Sequence, residues 1–163
     1  MKPTDIITTI FNHNLWANVR LLKFCAGLTG EQLETAIPGS AGSIRETLAH
    51  IVIAEQSYFS RISTGQRLSR PENAPSLTIA EMIESAQTTG QGLIAWATKV
   101  QAADVVEIDW DGVMRDVPKA IILTQAINHA AEHREQVKAT LTHLGIEPPN
   151  VQGWAYFDEN AAD

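Results

Sequence analysis

Apolar residues recur along this chain with the period of an α-helix in four long stretches. From about Thr4 to Ala26, the residues Ile6, Ile10, Ala17, Leu21 and Phe24 share one side, and Ile7, Phe11, Leu22 and Cys25 widen it. An arc that broad predicts a helix facing a core. Thr29 to Gln32 suit the cap of a short turn, and Pro38-Gly39-Ser40-Ala41-Gly42 reads as a loop. Ser43 and Glu46 then form a capping box, each side chain satisfying a free backbone donor at a helix start. That second helix continues through Leu48, Ile51, Val52, Phe59 and Ile62 until Gly65. Gln66 to Ser76, with Pro71 and Pro75, make a polar connection. Thr78 and Glu81 repeat the capping box and open a third helix that ends near Val100.

The rhythm changes next. Val105 to Trp110 and Val113 to Val117 are β-prone runs separated by Asp111-Gly112, a strong local hairpin signal. Pro118 suits a helix start, because a first-turn amide needs no helical acceptor. The fourth long helix runs to Leu144 and is stopped by Gly145, with Pro148-Pro149 beyond it. Trp154, Tyr156 and Phe157 make the tail apolar enough to pack down, with the last residues frayed. No repeat, low-complexity tract or linker interrupts the pattern. The expected fold is all-α: a four-helix bundle with a small β-hairpin between helices three and four, residues 1–163 forming one domain.

Composition agrees with a packed domain and narrows the partners. Apolar residues are 44% of the 163 and charged ones 19%, which is globular rather than disordered. Lys and Arg number 12 against 19 Asp and Glu, a formal charge of -7 that repels a phosphate backbone or an anionic membrane. The densest basic group, Arg61, Arg67 and Arg70, is expected in a connection rather than on a nucleic-acid-binding face. Trp16, Trp96, Trp110 and Trp154 fall singly, without the basic neighbours of a stacking platform. The expectation is no nucleic acid and no membrane: no apolar run reaches the roughly 20 residues that span a bilayer. Met1 to Asp5 carry an early acid and no export signal, which places the protein in the cytoplasm. Cys25 is the one cysteine, so no internal disulfide forms; its apolar helical setting suits a packed, inert thiol, with a reactive nucleophile as the alternative.

The fourth helix carries the chemistry. His129 and His133 are four residues apart and therefore point the same way. Their side also holds Ile122, Ala126, Val137 and Leu144, so the two imidazoles lie in or beside the stripe that faces the bundle interior. A His pair at this spacing also occurs by chance on surface helices. Here, desolvating two rings needs compensation, and a zinc, nickel or iron ion supplies it. A third ligand has to come from another helix. His50, at the edge of the second helix's arc, and His13, at the edge of the first, both qualify on the helical wheel; His143, off the paired face and near the helix end, is weaker. Glu132 could take a proton or orient a ligand but reads more simply as a solvated glutamate. Glu55 sits inside an apolar arc, suited to holding a histidine ring or to pairing with a cation such as Arg61. Asn14 and Asn18 also intrude on an apolar face, where they could line a polar cavity or tie loops to the core.

Taken together, these segments resemble the DinB/YfiT-like family of four-helix-bundle metalloproteins across nearly the whole chain. The resemblance lies in Asn14-Leu15-Trp16-Ala17-Asn18-Val19-Arg20-Leu21-Leu22, Leu48-Ala49-His50-Ile51-Val52-Ile53-Ala54-Glu55, and Asn128-His129-Ala130-Ala131-Glu132-His133-Arg134-Glu135-Gln136-Val137. It extends to Leu144-Gly145-Ile146-Glu147-Pro148-Pro149 and Trp154-Ala155-Tyr156. It implies a metal triad of one histidine from the second helix and two from the last long helix, which by motif are His50, His129 and His133 rather than His13. Glu135 stands where relatives commonly carry glycine. The family habit implies a homodimer, and the activities among relatives include transferases and isomerases that use a low-molecular-weight thiol.

The expectation is thus a metal-dependent enzyme on a small-molecule substrate, transferase-like or hydrolase-like. Its most concrete form is a thiol-dependent S-transferase, with no residue singled out as the base. The alternatives are a non-catalytic metal or small-ligand binding protein, and a structural dimer whose metal stabilises the bundle.

Overall fold

The computed structural model describes residues 5–71 and 73–161. Four readings from the sequence lie outside the described residues: the absence of an export signal at Met1–Thr4, the helix start at Thr4, position 72 of the connection, and the frayed end at 162–163.

Local chemistry sets the elements. Asp5 caps α1 (Ile6–Cys25), its carboxylate accepting from the Thr8 amide and hydroxyl. Capping boxes open α2 (Gly30–Leu33) at Thr29, α3 (Ile44–Thr64) at Ser43 and α4 (Ile79–Ala97) at Thr78. Antiparallel strands β1 (Val105–Trp110) and β2 (Val113–Pro118) pair in a register that sets Trp110 opposite Val113, leaving Asp111-Gly112 as a two-residue loop. Both loop residues have positive φ, 53° and 83°, as a type I′ turn demands. The chain then enters α5 (Lys119–His143) and, after Gly145, a short α6 (Gly153–Asn160). Among the described residues the protein is thus a predominantly helical bundle of six helices with a two-stranded hairpin inserted before α5.

Four of the helices, α1, α3, α4 and α5, form the bundle, with α1 against α4, α4 against α3, α3 against α5, and α5 more lightly against α1. Two apolar clusters fill it. One holds Leu21, Cys25, Leu48, Met82, Ala86 and Leu141, the other Phe11, Ile62, Leu93, Ile122 and Ala126. Their order along the chain shows that α1 and α5 run one way while α3 and α4 run the other. On α4, Gly90 and Gly92 permit close approach: a Cβ at the first would strike Leu15 of α1, and at the second Phe59 of α3.

Four readings are corrected. Ile6 is 81% exposed and Ile10 faces the surface, whereas Asn14 and Asn18 are buried, so the core face of α1 is rotated from the purely apolar arc. Arg61 lies in the last turn of α3 rather than in the connection. Of the three tail aromatics only Tyr156 docks, against His13 and Trp16, while Trp154 and Phe157 are exposed. The third helix ends at Ala97, three residues before Val100. Cys25 is fully buried, and burial pushes its thiol up to about 12, which makes it a core residue with little thiolate.

Candidate metal centre

The groove between α3 and α5 brings the three histidines together. On α5, Ala126, Ala130, Val137 and Leu141 are buried against the bundle, and His129 and His133 stand half-buried on the shoulder of that face. His50 occupies the matching shoulder of α3, exposed, between the buried Leu48 and Val52. The rings converge, with centroids 4.4 Å apart for His129 and His133, and 4.7 and 4.6 Å from His50 to each. One ligand nitrogen from each residue lies within 4.8 Å of the others. In a tetrahedral site with metal–nitrogen distances of about 2.0–2.1 Å, ligand nitrogens stand roughly 3.3 Å apart, so a small contraction completes the geometry.

Protonation favours the same chemistry. Burial, reinforced by His133 and His50, holds the His129 imidazole down to about 4, and burial followed by His133 lowers His50. Both rings are therefore neutral near pH 7, with lone pairs available to a cation. The Nε2 atoms of His129 and His50 are 2.9 Å apart, a contact that requires a proton on one and a lone pair on the other. His133 Nδ1 donates to Gln136 Oε1 at 2.8 Å, a tautomer that leaves Nε2 free as acceptor. The same Gln136 oxygen accepts from the Ala41 amide at 3.1 Å, tying the loop before α3 to the site. Three imidazoles with an open side suit a divalent cation.

The other candidates separate cleanly. His13 Nε2 meets the Val151 carbonyl at 2.9 Å and packs on Trp16 and Tyr156, so it anchors the tail. His143 is exposed in the last turn of α5, where a basic group suits the helix end. Glu132 is exposed, and among the described residues no carboxylate bonds to any ring of the triad.

Glu55 belongs to a different structure. It is 1% exposed and accepts from Asn14 Nδ2 at 2.7 Å and Asn18 Nδ2 at 2.9 Å; those two amides accept in turn from Arg134 Nη1 at 2.7 and 2.6 Å. It holds no histidine ring, and the cation behind it is Arg134 rather than Arg61. The two asparagines bridge a buried acid and base rather than tying a loop to the core. Burial raises Glu55 to about 7 against the lowering pull of Asn14, Arg134 and Asn18.

Sequence reasoning missed Gln136, Arg134 and Tyr58. Arg134 continues the buried 126–130–137 face of α5, and three polar intrusions on the apolar arcs of α1 and α3 were the available signal for it. Tyr58 stands edge-on to His129 with centroids 5.8 Å apart and is hydrogen-bonded to Gln125.

The model of the DinB family matches residues 1–162, essentially the whole chain. Among curated proteins, none matches.

Proposed function

Because the chain belongs to the DinB family, we propose that it is a metal-dependent enzyme acting on a small molecule, with His50, His129 and His133 as the ligands of a divalent zinc, nickel or iron ion. The observation that carries this reading is the convergence of three imidazoles on an open groove, one of them exposed. Three ligands on an accessible surface leave a coordination position for a substrate group, as catalytic sites do; a purely structural site is closed by a fourth protein ligand. Bound there, a cation supplies Lewis acidity and stabilises the deprotonated form of a thiol. The chain's own contribution is to keep the His50 and His129 imidazoles neutral, to fix the His133 tautomer through Gln136, and to wall the groove with Tyr58.

A thiol-dependent S-transferase is the most concrete version, the attacking sulfur coming from a low-molecular-weight thiol because Cys25 is sealed in the core. A hydrolase-like reaction uses the same open position. The exposed Ile6 and Ile10 on α1 support a homodimer, and the charge of -7 supports the exclusion of nucleic acid. Among the described residues no helix is long and apolar enough to cross a membrane. We place the protein in the cytoplasm as a single domain spanning 1–163.

The test is elemental analysis of tag-free protein, then thiol consumption across a panel of electrophiles with glutathione-like thiols, before and after chelation. Close to one metal per chain and thiol loss that chelation abolishes are expected. Bound metal without metal-dependent turnover would favour the second reading, a non-catalytic metal or small-ligand binding protein. That no carboxylate among the described residues bonds to a ring of the triad speaks for that alternative.

A further inference from the structure

Beside the triad, α3, α5 and the hairpin enclose a cleft of about 530 Å³, a size that holds a small organic ligand. Tyr58 and Gln125 form the wall it shares with the metal centre, since Tyr58 also touches His129. Its apolar surface includes Trp110, Ile121 and Ile122; the first two are 53% and 56% exposed, and the Arg115 guanidinium stands 5.4 Å from the Trp110 ring centroid. Its one lining cation is Arg61. The guanidinium reaches back along α3 to donate to Ser57 Oγ at 3.0 Å, and among the described residues no acid lies within ion-pair distance of it. In a chain of charge -7 an unpaired, half-buried arginine in a cleft is a group waiting for an anion.

The opposite wall narrows which anion. Asp109 and Asp111 line the cleft at the hairpin tip, the first accepting from the Gly112 amide at 2.7 Å. Two carboxylates there repel a doubly charged phosphate more than a single carboxylate, and the planar guanidinium matches a carboxylate in two-point contact. At the level of Ser57, the guanidinium stands seven residues from His50, about 10 Å of helix rise.

We infer that this cleft is the substrate-body subsite of the metal centre, taking a small molecule with a monocarboxylate at Arg61, an apolar middle over Trp110 and Ile121, and a metal-seeking head about 10 Å away. The inference rests on the metal reading for the head group alone; the carboxylate end stands on the cleft itself.

Calorimetric titration separates the two. With metal-free protein, octanoate should bind about tenfold more tightly than octanamide or octyl phosphate, and both Arg61→Gln and Trp110→Ala should erase that binding while the circular dichroism stays unchanged. With zinc-loaded protein, 8-mercaptooctanoate should exceed both octanoate and 3-mercaptopropionate, the last being too short to span. Equal binding of octanoate and octanamide to metal-free protein would overturn the subsite whatever the metal does. Tighter octyl phosphate would overturn the choice of a carboxylate. A failure of zinc to bind, with octanoate selectivity intact, would remove the metal reading and leave the carboxylate subsite standing. Equal affinity of the two mercapto acids for zinc-loaded protein would overturn the spanning arrangement.

Discussion

The same two helices build two polar centres of opposite character, a few residues apart. Glu55 and Arg134 face inward from α3 and α5 and are sealed with Asn14 and Asn18 in a layer between the two apolar clusters, each charge answered by an amide. His50 and His133, nearby in sequence on the same helices, face the groove and bring together nitrogens that the protein alone satisfies poorly. A closed cluster buried between the apolar layers is out of a ligand's reach, so its role is to set the register of α1, α3 and α5. An open cluster of imidazoles is of little use to the fold and well suited to a cation. The difference between them is therefore the difference between what the sequence spends on structure and what it reserves for chemistry.

The sharpest way to break that contrast is to exchange the consequences. His129→Ala should lose metal by more than the roughly 10–100-fold expected of an outer partner, while costing the metal-free protein no more than about 1 kcal/mol, because the ring is half-exposed. Elemental analysis and urea unfolding of the same preparation measure both. Arg134→Ala should do the reverse, costing about 3–5 kcal/mol by leaving Glu55 and two amide oxygens buried without their cation. If Arg134→Ala unfolds at the wild-type urea midpoint, the buried layer is not what holds the helices in register.

The legibility of the two centres differs for physical reasons. Capping boxes at Ser43 and Thr78, and the Asp111-Gly112 turn, act over three or four residues, so their chemistry is written locally and the structure forms each of them. The spacing of His129 and His133 is equally local. Their meeting with His50 is not: the helical wheel alone could not separate His50 from His13, and the family motif made the choice. The buried layer stayed illegible because an apolar-arc reading treats Asn, Glu and Arg as solvent-facing. It therefore placed Ile6 and Ile10 in the core of α1, where Asn14 and Asn18 belong. Three intruding polar residues pointed to a hidden counter-charge, but only the packing of α5 identifies it as Arg134. The Tyr58–Gln125 wall depends on α3 and α5 running in opposite directions, a property of the assembled bundle.

A smaller effect tests how tightly the buried layer is sealed. Glu55 is raised in the folded protein to about 7 from its ordinary 4.5, mainly by burial. A folded pKa above the unfolded one means the native state binds more protons between those values. The contribution from this group is fully present below about pH 4.5 and is lost as pH rises through 7, by no more than about 3 kcal/mol. Glu55→Gln keeps an oxygen facing Asn14 and Asn18 but cannot titrate. The stability difference between wild type and Glu55→Gln should therefore move against wild type from pH 5 to pH 8. A difference that stays flat over that range would mean the carboxylate is ionised throughout, with the Arg134 network outweighing burial.

The finest distinction concerns whether the open centre is shaped in advance. Gln136 makes two contacts with one oxygen, accepting from His133 Nδ1 and from the Ala41 amide. If the first matters, Gln136 holds His133 in the tautomer whose Nε2 lone pair faces the other rings, and removing it lets the ring rotate or take the other tautomer. Gln136→Ala should then weaken zinc binding by roughly 10–100-fold in a competitive chelator titration. The lost loop tether should add only about 1 kcal/mol of destabilisation. Gln136→Glu keeps the acceptor and makes the imidazole more basic, so it should match or exceed wild-type affinity. The two variants together remove the ambiguity of a double contact, because a residue that served only to tether Ala41 would leave zinc affinity unchanged in both. That outcome would show that the triad's orientation is set by the packing of α3 on α5 alone.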